Sequence, residues 1–187
     1  MELALVLVAA LVLVGLFIVT TYNRLVTLKQ RVKEAWSDID VQLKRRHDLV
    51  PNLVESVKGY AGHERQTLES VTRARQQAID VLGLSPEQRA QAENMLTQAL
   101  RQLFALAEQY PQLRAVESFT QLQTELSSIE ENVAFARRFY NGNVRDYNTA
   151  LLTFPTNLIA GAFGFAQEQY FEIADAAERA APQVKFG

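Results

Sequence analysis

The chain has 187 residues, 48% of them hydrophobic and 21% charged, with a formal net charge of −2. That length holds one or two domains, and the near-neutral charge argues against a basic nucleic-acid binder. It has no cysteine and two histidines, which excludes disulfides, thiolate metal sites and a cysteine nucleophile and leaves little for histidine chemistry.

Residues 3–19 (LALVLVAALVLVGLFIV) are an unbroken run of 17 apolar or glycine residues, continued by Thr20, Thr21 and Tyr22. A bilayer core of about 30 Å is crossed by about 20 such residues in a helix. A cleaved leader would need a basic start and a small-residue cleavage site. Met1-Glu2 and Thr20-Thr21-Tyr22-Asn23 supply neither. A buried core helix would carry a polar stripe, and this run has none. The run is expected to be a retained single-pass anchor, with lipid as its partner through residues 3–22 and Tyr22 at headgroup level. No basic residue precedes it, whereas Arg24, Lys29, Arg31, Lys33, Lys44, Arg45 and Arg46 follow it. The positive-inside rule then predicts the N-terminus outside and the C-terminal domain in the cytoplasm.

The rest reads as helix. Trp36, Ile39, Leu43, Arg46, Val50, Leu53, Val57 and Tyr60 form a seam spaced 3 and 4, broken only by Arg46. This is the heptad signature of a packed helix. Pro51 inside it predicts a kink, and Gly59 to Gly62 an end. A second helix from about His63 carries Leu68, Val71, Arg75, Ala78 and Leu82 at the same spacing. After an interruption at Gly83, Ser85 reads as an N-cap and Pro86 as a first helical residue. The helix from there to about Gln109 turns Ala92, Leu96, Ala99, Leu103 and Leu106 inward, and Tyr110-Pro111 ends it. Phe119, Leu126, Val133, Tyr140, Tyr147 and Phe154 then recur every seven residues, with Leu122, Ile129 and Ala136 between them, before Pro155. A last helix would hold Leu158, Ile159, Ala162, Phe163, Phe165, Ala166, Tyr170, Phe171 and Ala174.

At 1.5 Å per residue, 24–60 spans roughly 55 Å, 63–109 with its break about 66 Å, and 114–152 about 58 Å. Three similar rods and a shorter fourth helix predict an all-α, up-down-up-down antiparallel bundle. In that arrangement 60–63 and 152–156 lie far from the membrane and 109–114 lies near it. The expected layout is an anchor over 1–22, a bundle over 23–181 and a tail over 182–187.

The strings AWSDIDVQLKRRHDLVPNLVESVKGYAGHE (35–64), VTRARQQA (71–78), YPQLRA (110–115), FTQLQTELSSIEENV (119–133), ARRFYNGNVRDYNTAL (136–151), FPTNLIA (154–160) and FGFAQEQYFE (163–172) closely resemble the LemA family of bacterial proteins. The match covers essentially the whole chain and is weakest over 80–109. The resemblance implies an N-terminal transmembrane helix and an antiparallel bundle, and no enzyme activity. The family includes magnetosome-associated members, and a membrane zinc protease is often a genomic neighbour.

Few residues carry chemistry. A di-iron bundle site needs two Glu-x-x-His pairs. Lys44 and Tyr60 stand three places before His47 and His63, so neither pair exists. His63-Glu64-Arg65-Gln66-Thr67 also fails the zinc-protease pattern. No metal or cofactor is expected. Asp38, Asp40, Lys44, Arg45, Arg46 and Asp48 read either as a polar docking surface or as helix-surface ion pairs such as Asp40 with Lys44. Arg46 sits on the seam and so needs a buried partner, for which Glu125, Glu130 and Glu131 are candidates. Asn141 and Asn148, beside the seam residues Tyr140 and Tyr147, read as neighbours of an aromatic core or, with Asn132, as the lining of a polar groove. His47 is expected on the helix surface and His63 in a turn. Gly161, Phe163, Gly164 and Phe165 read as close helix packing or as an assembly patch. A membrane-surface helix is disfavoured there for want of basic residues.

The leading expectation is a membrane-anchored, non-enzymatic scaffold or interaction module that forms homo-oligomers. A regulator or partner of a membrane protease in envelope stress is one alternative. An enzyme or small-ligand binder with a site between helices is another.

Overall fold

The computed structural model describes residues 1–172; the expected helical Ala174 and the tail over 182–187 lie outside the described residues. The fold is all-α. Its elements are α1 (Glu2–Ala61), α2 (Arg65–Asp80), α3 (Pro86–Ala107), the single turn α4 (Pro111–Arg114), α5 (Glu117–Leu152) and α6 (Thr156–Ala162), with no strand among the described residues. The N-terminal part of α1 is long and apolar enough to cross a membrane, and its apolar window packs against nothing. The chain divides into two compact units, each built from its own stretches of α1 and α5.

One unit comprises Leu43–Glu131 together with, among the described residues, Phe171 and Glu172. Its α1 stretch buries Leu43, Val50, Leu53 and Val57 completely or nearly so. Tyr60 ends the expected seam in solvent, and Ala61 takes the buried place. Ser85 caps α3 reciprocally with Gln88: the Gln88 N–H donates to Ser85 Oγ, and the Ser85 N–H donates to Gln88 Oε1. Such a box fixes a new helix start. The break after Val81 is therefore a full reversal, and α2 and α3 pack as an antiparallel hairpin. The expected single broken rod over 63–109 is corrected to these two arms. Phe104 meets Phe119 at 6.4 Å as the chain turns from α3 into α5. The directions alternate up, down, up, down within this unit, and 108–116 lies at its Ala61 end.

The other unit comprises Met1–Gln42 and Asn132–Tyr170. Trp36 stacks at a tilt on Tyr140, 5.0 Å between centroids. Tyr22 meets Phe163 at 5.0 Å and Phe165 at 5.6 Å. So α5 returns along α1, and the turn after Leu152 lies beside the anchor end, not at the far end as its expected place had it. The expected long last helix is also corrected. After Ala162 the Phe165 N–H donates to the Ala160 carbonyl and the Gly164 N–H to Gly161. Gly164 takes φ +70°. This pair of bonds is the Schellman stop, and the left-handed residue it needs is a glycine. Residues 165–172 continue without helix.

Candidate functional site: a buried ionic cluster and a clamped strap

Arg46 is 1% exposed. A guanidinium out of water must have its donors engaged. Its Nη1 donates to Glu93 Oε2 at 3.0 Å and its Nη2 to Thr97 Oγ1 at 2.7 Å. Its Nε lies 2.8 Å from Glu130 Oε1, so Glu130 is the facing-helix carboxylate that reaches it. The Thr97 hydroxyl in turn donates a hydrogen bond to the Glu93 backbone carbonyl at 2.9 Å. His47 is buried as well, contrary to its expected surface place, and its Nε2 is 2.7 Å from Glu93 Oε1. An ionised carboxylate only accepts, so the imidazole donates from Nε2. Arg75, from α2, donates from Nε to the His47 carbonyl at 2.7 Å.

Glu93 thus joins two consecutive residues of α1, and the cluster ties together α1, α2, α3 and α5. It closes on itself: each of these bonds is spent on another protein group. Its chemistry fixes which helix faces meet. Sequence reasoning missed Glu93, Thr97 and Arg75 as partners. The signal lay in the spacing Arg89, Ala92, Leu96, Ala99, which extends the α3 seam by one residue and carries Glu93 with it; Arg89 and Glu93 are both buried.

Among the other sequence candidates, Asp38, Arg45 and Asn132 are exposed, while Asp40 and Asn141 are half-buried. Asp48 is exposed, and the Lys44 ammonium 2.6 Å from its carboxylate holds it below the ordinary carboxyl range. Asn148 has a different role. Its Nδ2 donates to the Glu168 carbonyl, and the Glu168 N–H donates back to Oδ1, both at 2.9 Å. One amide side chain thereby satisfies both backbone groups of a residue in a non-helical strap. The Tyr140 hydroxyl donates to the next carbonyl, Gln169, at 2.8 Å. Burial, helped by the Glu168 charge, pushes the Tyr140 phenol up to about 12. Tyr147, also fully buried, is raised by the same causes.

Phe163 and Phe165 bear on Tyr22. A methyl group added at Gly161 would meet nothing within 4 Å, and Gly164 is equally open but holds a positive φ. An open groove of about 990 Å³ runs beside Val54, Lys58, Leu68 and Thr72 between α1 and α2.

The LemA family model matches residues 35–186. "Protein LemA" of Metamycoplasma hominis is 31% identical over 140 residues, 74% of this chain and 63% of that protein. "Magnetosome protein MamQ 2" of Paramagnetospirillum magneticum is 26% identical over 175 residues. "Magnetosome protein MamQ" of Magnetospirillum gryphiswaldense is 24% identical over 174. These magnetosome alignments cover 81% and 80% of this chain. The chain spans 64% of the length of both magnetosome relatives.

Proposed function

The chain belongs to the LemA family, and on that premise we propose that it is a membrane-anchored, non-enzymatic scaffold that assembles with copies of itself. The observation that carries the reading is a pair of rings on α5. Phe135 and Phe139 lie one turn apart and are 65% and 52% exposed. Two phenylalanines on neighbouring turns make one apolar stripe, a surface suited to another helix. An anchor through residues 3–22 holds copies parallel and raises their effective concentration, so weak contacts between stripes suffice. The buried charges support the same reading, because their donors and acceptors are spent on joining helices.

The basic residues that follow the anchor favour the inner membrane with the bundle in the cytoplasm. A phosphatase fused after Gly187 should then be inactive, and a cytoplasmic reporter there active.

The assembly test uses the full chain in detergent. Light scattering should give a multiple of the 21.1 kDa chain mass, and photo-crosslinkers at 135 and 139 should trap that multimer. Phe135→Asp with Phe139→Asp should lower the mass. A monomer across micromolar concentrations, with wild-type rings, would refute the reading.

A further inference from the structure

The turn between α5 and α6 carries apolar side chains that the protein does not cover. Leu152 is 67% exposed, Phe154 74%, Leu158 62% and Phe163 54%. No charged residue occurs between Asp146 and Glu168. The surface of a helical protein in water is usually laced with charge, and a stretch of this length without any, carrying four large exposed apolar residues, is an apolar patch that wants an occupant.

Its position names the occupant. The apolar run of α1 ends at Val19, and Tyr22 stands three residues further, about 4.5 Å along the helix axis. The headgroup layer on each side of the hydrocarbon is about 5–8 Å deep. Tyr22 therefore lies within that layer, and it is the residue whose ring Phe163 and Phe165 touch. Thr21 and Leu25 are buried, so this unit covers α1 down to the edge of the anchor. The Schellman stop at Gly164 then turns the chain away along the strap. The exposed turn is held at the depth where lipid begins.

We propose that the Leu152–Phe163 turn is a second lipid contact, monotopic, dipping its apolar side chains into the boundary between headgroups and acyl chains beside the anchor. It rests on the reading of α1 as a membrane anchor. The want of basic residues, which disfavours a free amphipathic helix, is no obstacle here. A free helix needs charge attraction to reach the surface, whereas this turn is delivered to it covalently and by the Tyr22 stack. The two contacts together fix the tilt and rotation of α1 in the bilayer, as interfacial aromatics do for other spans.

The chain has no native cysteine, so single cysteines report cleanly. Full-length Phe154→Cys, Leu158→Cys, Phe139→Cys and Val12→Cys variants, each labelled with an environment-sensitive fluorophore, are reconstituted in phosphatidylcholine–phosphatidylglycerol vesicles. The same vesicles are then made with nitroxide-bearing phosphatidylcholine. All the substituted side chains are exposed, so folding is not at stake. Labels at 154 and 158 should lose about half their emission to shallow nitroxides, consistent with insertion near the acyl boundary. A label at 139 should be nearly unaffected, and one at 12 should be quenched by deep nitroxides. Quenching at 12 with 154 and 158 behaving like 139 would overturn the proposal and leave the anchor standing. That result is also the one expected if a second copy of the chain covers the turn. Quenching at 139 equal to that at 154 would overturn it too, by laying the whole side of α5 on lipid. No quenching at 12 would remove the anchor reading and the proposal with it.

Discussion

Arg75 donates to the carbonyl of His47 at 2.7 Å, and that carbonyl is the one that Pro51 leaves without a helical donor. In an α-helix residue 51 would give its N–H to residue 47, but proline has none. Yet α1 runs through Pro51 without interruption to Ala61. A guanidinium from α2 replaces the missing donor, and so the flaw in one helix becomes the docking point of the next.

This pairing predicts a thermodynamic coupling. Arg75→Ala in the native sequence should cost about 1.5–3 kcal/mol, the range for a hydrogen bond from a charged donor. In a Pro51→Ala background the restored N–H serves the carbonyl, and the same substitution should cost about 1 kcal/mol less or better. Denaturant unfolding followed by circular dichroism, run as a double-mutant cycle, measures the difference. Equal costs in the two backgrounds would dissolve the relationship.

The ionic cluster predicts unequal carboxylates. Glu93 is fully enclosed and holds both Arg46 and His47, so Glu93→Ala leaves both without their shared carboxylate and should cost about 3–5 kcal/mol. The Glu130 side chain is 40% exposed, and water can replace it. Glu130→Ala should cost about 1 kcal/mol or less. If the two variants melt alike, Glu93 is not the hub.

The strap depends on one amide. Asn148→Ala removes both bonds to Glu168, worth about 1–3 kcal/mol together. Amide hydrogen exchange at 165–170 should then accelerate by about 5- to 150-fold, with the α2–α3 hairpin unchanged. Asn148→Asp keeps the acceptor but loses the donor, and should fall between the two.

Alkaline pH should loosen the unit that contains Tyr140. Its phenol titrates at about 12 when folded against 10.0 as the ordinary value. The folded chain therefore keeps a proton that the unfolded chain releases between those values. The stability this supplies is complete below pH 10 and lost on rising to 12, by roughly 2–3 kcal/mol. Tyr147, also raised, adds in the same direction. A phenolate absorbance titration against an unfolded control gives the shift. Tyr140→Phe should flatten the decline above pH 10.

Much of this is legible in the sequence, and the failures have physical causes. Seven-residue spacing exposes α5, because Phe119, Leu126, Val133, Tyr140 and Tyr147 are all buried. Ser85-Pro86 exposes the start of α3 by its capping chemistry. Direction is harder: a glycine break can be a pause or a reversal, and only packing decides. His47 follows Lys44, Arg45 and Arg46 and so looks solvated, since its partner Glu93 is 46 residues away. The strap is hidden because Phe163, Phe165, Ala166 and Tyr170 mimic a helical face, while Gly164 alone carries the stop.

The two glycines of that last segment, alike in composition, should respond oppositely to a side chain. Gly161 lies inside α6, where an added methyl meets nothing. There alanine restricts the unfolded chain and favours helix, so Gly161→Ala should be neutral or gain about 0.5–1 kcal/mol. Gly164 has as much room but sits at φ +70°, where an L side chain crowds its own carbonyl. Gly164→Ala should cost about 1–2 kcal/mol and loosen the strap that follows, visible as faster exchange at 165–170. A larger side chain at the open Gly161 then makes a clean probe of assembly, because the monomer gives it no reason to unfold. If Gly161→Leu leaves the melting temperature in place and lowers the mass in detergent, that face of α6 meets a second copy. If mass and melting temperature both hold, assembly does not use that face of α6. A melting temperature that falls as far for Gly161→Ala as for Gly164→Ala would contradict the open surroundings on which the contrast rests.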